Sequence, residues 1–219
     1  MTGKLFAQAM GKFLAGLILL GVLIFLPAGT LLFRIAYTGY VAGMLLVIML
    51  ILRSPELLKK RLQADEKEPE QRQVILLSGL MFLVSFVLAG LNFRFRWIVM
   101  PRWTVLAAAA VFLLAYLMYG EVLRENVYLS RTVEVQENQK VIDTGLYGVV
   151  RHPMYTATVF LFLAMPLVLG SPLSFLVMLG YLPIIAKRIR NEEAVLKAGL
   201  EGYEEYMERV RYRIFPLIW

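Results

Sequence analysis

The residues best suited to chemistry in this chain fall within Gly145–Tyr155, which reads GLYGVVRHPMY. This stretch holds the single histidine of the protein, His152, between Arg151 and Pro153. Proline suits the first position of a helix, because the N–H it lacks would be unpaired there anyway. A helix is therefore predicted to start at Pro153 with His152 at its N-cap. The free N–H groups of that first turn, with Arg151 beside them, would make an anion site. Further along, Glu192 and Glu193 stand side by side, followed by Tyr203 and Tyr206. Glu193 shares a helical face with Ile189, Leu196, Leu200, Tyr203, Met207 and Val210, which recur at three- and four-residue steps. A carboxylate on so apolar a stripe needs a cationic partner or a ligand.

The elements that position these residues are set by composition. Of 219 residues 59% are hydrophobic and 18% charged, too apolar for a soluble domain. Apolar runs of near membrane-crossing length recur: Phe13–Phe33, Ile35–Leu52, Val74–Leu91, Thr104–Leu123 and Pro153–Leu169, then a shorter one from Leu173 to about Lys187. The fold class expected is an all-α integral membrane protein with about six membrane helices. The last two form a short hairpin around Gly170-Ser171-Pro172, and Pro166 kinks the first of that pair. A cytosolic helical tail follows from Arg188, broken in two by Gly199 and Gly202. Residues 1–123 read as a four-helix membrane region and 124–219 as the part that carries the chemistry. Between the second and third spans, Ser54–Leu62 reads as an amphipathic interfacial turn.

Charge and cysteine content narrow the function. With no cysteine there is no disulfide, thiolate metal site or catalytic thiol, and one histidine falls short of the donor set of a conventional zinc site. A net charge of +7 would suit nucleic acid, but these basic residues flank apolar spans, so membrane orientation explains them instead. With the N-terminus in the cytosol, all but four of the 23 lysines and arginines fall on the cytosolic side. The four are Arg34, Arg94, Arg96 and Arg102. Both termini and the Gly145–Tyr155 stretch are then expected in the cytosol, with the cell inner membrane as the expected location.

The Gly145–Tyr155 stretch also resembles the signature of the isoprenylcysteine carboxyl methyltransferase family, G-x-Y-x-x-V-R-H-P-x-Y. Further similarity lies in SPELLKKR at 54–61, RENVYLSRTVEVQENQKVIDTG at 124–145, RIRNEEAVL at 188–196 and YEEYMERVRYRIFPLIW at 203–219. The resemblance implies an S-adenosyl-L-methionine-dependent methyltransferase. It implies a cofactor pocket made by the R-H-P-x-Y and Glu-Glu segments and closed by the Tyr-x-x-Tyr tail. The positions concerned are Tyr147, Val150, Arg151, His152, Tyr155, Glu192, Glu193, Tyr203 and Tyr206. It further implies that an arginine and a glutamate act near the acceptor, Arg151 and one of Glu192 or Glu193, with Glu193 favoured. One departure stands at Ala157, where many relatives carry glycine.

The residues themselves suit that cofactor. The helix N-terminus with Arg151 offers a place for its carboxylate, and the two glutamates can accept from its amine or ribose hydroxyls. Tyr147, His152 and Tyr155, or Tyr203 and Tyr206, can pack on adenine. The acceptor is not carried over by these residues. It is expected to be lipophilic or lipid-modified and to arrive from the bilayer, entering sideways near Ala157, with membrane lipids as surroundings and no protein partner required. A carboxylate acceptor needs no general base, whereas an amine or thiol would. Three other readings stay open: a phospholipid N-methyltransferase, an NADPH-dependent sterol reductase sharing R-H-P-x-Y and an ending close to VRYRIFPLIW, and a non-catalytic scaffold.

Overall fold

A computed structural model describes residues 3–38, 69–129 and 133–219. Seven α-helices run through them: α1 (Gly3–Ala28), α2 (Pro69–Phe95), α3 (Arg102–Glu125), α4 (Pro153–Val168), α5 (Pro172–Met178), α6 (Tyr181–Gly199) and α7 (Tyr203–Arg209). Short 3₁₀ turns occupy Arg34–Ala36 and Gly145–Gly148. The described residues contain no strand. Among the described residues four segments are long and apolar enough to cross a membrane: Ala7–Ala28, Gln71–Phe95, Arg102–Glu125 and Pro172–Gly199. The chain is an all-α integral membrane protein. Its exposed leucines on these helices, such as Leu19, Leu26, Leu76 and Leu114, are the faces such a protein turns to lipid.

The helix ends follow from local chemistry. The apolar run that starts the chain was expected to stay helical to Phe33, yet α1 stops at Ala28. Pro27 sits in its last turn, and Gly29 adopts φ +68, a left-handed stop open to glycine without steric cost. The expected span at Ile35–Leu52 and the turn at Ser54–Leu62 lie almost wholly outside the described residues. At the far end of α4, Gly170 with φ +72 and Ser171 as N-cap of α5 make the tight turn the sequence predicts.

The expected sixth helix needs correction. It is two helices, α5 and α6, and α6 runs unbroken through Arg188 to Gly199. Pro183 cannot donate to Leu179, which accounts for the break before Tyr181. Beyond it, RIRNEEAVLKA contains only residues that a helix tolerates, so nothing stops the helix until Gly199. The tail is therefore not a separate element from Arg188 onward. Glu192 and Glu193 ride on the same rigid rod as Ile185 and Ile189, which are buried against α4 and α2 side chains including Val159, Tyr155 and Met81.

Packing joins α1 to α2, α3 to α4, and α2 to α5 and α6. At Gly90 a Cβ would collide with the Ile24 carbonyl, so the absent side chain permits the close α1–α2 approach. Ala157 is fully buried in the α3–α4 seam with Tyr119, Val122 and Leu161. It packs with α3 side chains and has no exposed surface of its own. Past α7 the chain doubles back on the start of α4. The N–H groups of Arg151 and His152 donate to the carbonyls of Tyr212 and Arg213, both at 2.9 Å, and Thr156 Oγ1 donates to Ile214 at 2.8 Å.

Candidate active site

The site forms where α4 begins. His152 is the N-cap of α4 and Pro153 its first residue, as the proline rule predicts. The preceding 3₁₀ turn presents Tyr147, whose hydroxyl accepts from Asn126 Nδ2 at 3.0 Å and whose carbonyl accepts from the Tyr206 hydroxyl at 2.8 Å. Tyr147 thus fastens the end of α3 to α7 across the signature stretch.

Arg151 and Glu193 meet beneath this turn. Arg151 Nε and Nη2 reach Glu193 Oε1 at 2.8 and 2.7 Å, while Nη1 donates to the carbonyls of Val210 and Arg211 at 2.7 and 2.8 Å. Glu193 Oε2 accepts from Arg213 Nε at 2.8 Å, and His152 Nε2 lies 3.3 Å from Oε1. Glu193 thereby ties α6 to the start of α4 and to the returning tail. Its charge is met from three sides. The partner that its apolar face demanded is Arg151, so these two residues hold the site together rather than presenting opposed free charges to a ligand. Two of the first-turn amides, Tyr155 and Thr156, also close back on the His152 carbonyl. The anion site expected from this helix start and Arg151 is therefore largely spent inside the protein.

Glu192 points elsewhere. It is half-buried and accepts a hydrogen bond from the Tyr155 hydroxyl, which in turn accepts from Arg188 Nε at 2.9 Å. Arg188 Nη1 continues the row to Gln71 Oε1 at 3.3 Å. This chain of polar groups links α6, α4 and α2.

A pocket opens between α4, α6, α7 and the loop that follows α3. Its walls include seven of the expected residues: Tyr147, Arg151, His152, Tyr155, Glu192, Tyr203 and Tyr206. Glu193 and Val150 lie behind it, buried and outside the lining. The enclosed depth is about 100 Å³ and the space out to the open mouth about 840 Å³, the form of a groove more than a chamber. Tyr203 is buried in this wall, and its hydroxyl has no hydrogen-bond partner among the described residues. Burial, reinforced by the charges of Glu193 and Glu192, pushes its pKa far above the ordinary phenol value, so it stands as a protonated donor.

The sequence reading missed Asn126, Tyr128, Glu134, Lys140 and Arg188, which also line the groove. The first four come from a polar stretch with no clear periodicity, and the family-like run at 124–145 was the one signal available for them. Among the described residues no cluster of histidine, cysteine, aspartate and glutamate is arranged to hold a metal ion.

This groove lies almost entirely within a segment matched by the family model for "Isoprenylcysteine carboxyl methyltransferase (ICMT) family", residues 104–198. The match takes in residues 104–198 of the 219, less than half of the chain, and is a likeness of that segment to the family. It runs from the start of α3 to the end of α6, leaving Tyr203, Tyr206 and the returning tail outside the match. Among solved structures the chain is similar to the eukaryotic intramembrane Ras methyltransferase ICMT, with TM-score 0.52 and 16% identity. That likeness covers 91% of this chain and 74% of the other, and it shows a shared membrane fold. Among curated proteins it is similar to delta(14)-sterol reductase TM7SF2 of Mus musculus, 29% identical over 91 residues. The alignment covers 40% of this chain and 22% of the reductase, so it spans about a fifth of that relative's length.

Proposed function

We propose that the protein is an S-adenosylmethionine-dependent methyltransferase of the membrane, acting at the cytosolic face on a lipophilic acceptor whose reacting group is a carboxylate. The observation that carries this reading is the groove beside α4. There Glu192 and the rings of Tyr147 and Tyr155, from the segment that resembles the methyltransferase family, face an orphaned phenol, Tyr203, and the ring of Tyr206 from the helix that follows it.

The donor set fits the cofactor. Glu192 and Glu134 are acceptors for an amine or ribose hydroxyls, Lys140 and Arg188 are cations for a carboxylate, and the tyrosines are flat partners for adenine. Tyr203 offers the donor that has nothing else to bond. When bound, S-adenosylmethionine supplies an activated methyl group for in-line displacement. The protein's share is then mainly positioning. Tyr155 and Arg188 hold Glu192 in place, and the Arg151–Glu193–Arg213 cluster fixes the tail behind the groove. A carboxylate acceptor is already nucleophilic at neutral pH, so no residue has to remove a proton. Arg151 and Arg188 both line the groove, but Arg151 is committed to Glu193, so Arg188 is taken as the cation that orients the acceptor and Lys140 as the one that meets the cofactor's carboxylate.

An apolar space of about 370 Å³ farther along α4, walled by Phe112, Leu161 and Phe162, supports a lipophilic acceptor. The likeness to the sterol reductase favours one rival, a pyridine-nucleotide enzyme. Calorimetric titration of the purified protein separates the two. Saturable heat with S-adenosylhomocysteine and none with NADPH is expected, and the reverse pattern would replace the methyltransferase reading with the reductase.

A further inference from the structure

Arg34, Arg94, Arg96 and Arg102 are the four basic residues that the charge count leaves on the far side of the membrane. Three of them line a single pocket. Arg34 comes from the 3₁₀ turn after α1, Arg94 from the last turn of α2, and Arg96 from the loop beyond it. The space they share is about 660 Å³, open on one side, with apolar walls that include Leu32, Phe33 and Val99. Among the described residues no carboxylate belongs to this lining. Among the described residues none of the three arginines has an acidic partner. The acidic residues of the neighbouring helices stand at their opposite ends, Glu70 at the start of α2 and Glu121 and Glu125 at the end of α3.

The pocket is built rather than incidental. Asn92, buried beneath it, donates from Nδ2 to the carbonyls of Ile98 and Gly170 at 3.0 and 2.9 Å, and accepts from the Ile98 N–H at 3.1 Å. One side chain thus ties α2, the following loop and the α4–α5 turn into a common floor. Phe33 stacks on Phe93 with centroids 4.1 Å apart, joining the turn after α1 to the same wall. Arg94 lies against Gly29, where a Cβ would come within 3.4 Å of its guanidinium, and over the Phe95 ring. Arg96 holds φ 52, a left-handed backbone that a non-glycine residue adopts only when its surroundings impose it, and its N–H is fixed to the Asn92 carbonyl at 2.8 Å. The exposed indoles of Trp97 and Trp103 mark the same level as a membrane–water interface.

The C-terminal ends of α1, α2 and α4 all reach this pocket, at Ala28, Arg94 and Val168, and each carries partial negative charge. At about half a charge per helix end they offset about half of the three guanidiniums' charge and leave the rest unmatched. Three guanidiniums gathered without a carboxylate repel one another, and a phosphate between them would relieve that repulsion through forked hydrogen bonds. Free phosphate would leave the apolar walls without an occupant, whereas acyl chains would cover them.

We infer that this pocket binds the phosphodiester headgroup of an anionic phospholipid from the leaflet opposite the active site. The test uses the full chain purified in detergent and read by native mass spectrometry, with thermal unfolding in parallel. Dioleoyl-phosphatidylglycerol should bind at least tenfold more tightly than dioleoyl-phosphatidylcholine and raise the unfolding temperature, while inorganic phosphate alone should do neither. The combined variant Arg34→Gln, Arg94→Gln, Arg96→Gln should lose the preference, and Lys197→Gln, on the other face, should keep it. If the combined variant does not fold, Arg34→Gln and Arg96→Gln singly should each reduce the preference at least threefold. Equal binding of the two lipids, a preference surviving these arginine changes, equal loss in Lys197→Gln, or full binding of phosphate alone would each overturn the inference.

Discussion

Arg151 Nη2 and Glu193 Oε1 lie 2.7 Å apart behind the groove, with their side chains only 4% and 5% exposed. Removing one member of so enclosed a pair leaves the other charge buried. Such losses cost about 3–5 kcal/mol. Glu193→Gln would also release Arg213 and His152 from their shared carboxylate. The expected result is a marked fall in unfolding temperature together with at least tenfold weaker S-adenosylhomocysteine binding. Glu204→Gln, on the exposed side of α7, should change neither. Weakened binding with undiminished thermal stability would show that Glu193 contacts the ligand directly instead of bracing the tail.

Arg213 should behave as a milder version of the same brace. Its guanidinium is part-exposed, at 29%, and meets both Glu193 and the ring of Trp219. Arg213→Gln is expected to cost about 1–2 kcal/mol, since a charged hydrogen bond is lost but the buried anion keeps Arg151. Thermal unfolding in detergent should place it between wild type and Glu193→Gln.

Tyr203→Phe should separate binding from stability. The hydroxyl is buried with no partner among the described residues, so deleting it removes an unmet polar group without breaking a bond. Stability should hold or rise. If the hydroxyl is the donor that meets the ligand, affinity for S-adenosylhomocysteine should fall about five- to tenfold, near 1–1.4 kcal/mol. Unchanged affinity would remove Tyr203 from the site.

How far the sequence foretold this arrangement depends on the kind of signal. His152 at the cap and Pro153 at the first position follow from proline chemistry, a local rule that needs no tertiary context. Glu193 was singled out because a carboxylate on an apolar stripe requires a partner. Which partner was not legible, because Arg151 lies 42 positions away and their meeting depends on how α6 packs on α4. Conversely, Tyr128, Glu134 and Lys140 sit in irregular chain, where no periodicity distinguishes a lining residue from a solvated one. The unbroken run of α6 past Arg188 was hidden for another reason. Hydropathy falls at that point, but the backbone needs only tolerant residues to stay helical.

Ala157→Trp should test the seam rather than a gate. The residue has no exposed surface and packs against α3, so an indole there would force α3 and α4 apart. Overpacking of this kind costs about 1–3 kcal/mol. Turnover and S-adenosylhomocysteine affinity should fall together with thermal stability. Turnover lost alone, with affinity and stability intact, would mark this position as the acceptor's entrance.

The orientation can be checked with a chemistry the chain lacks. Because the protein has no cysteine, any cysteine introduced becomes a unique thiol. Lys197, exposed near the end of α6, and Val99, exposed in the loop after α2, stand on opposite sides of the membrane in the orientation that the charge bias favours. Val99→Cys should react with a membrane-impermeant maleimide in intact cells, and Lys197→Cys only after the membrane is permeabilised. Trp219, whose carbonyl accepts from the N–H groups of Arg213, Ile214 and Phe215, holds the tail on the Lys197 side, so a reporter fused after it should share the protection. Labelling of Lys197→Cys in intact cells would put the groove, and any cofactor from the cytosol, on opposite faces, and the proposed activity could not stand.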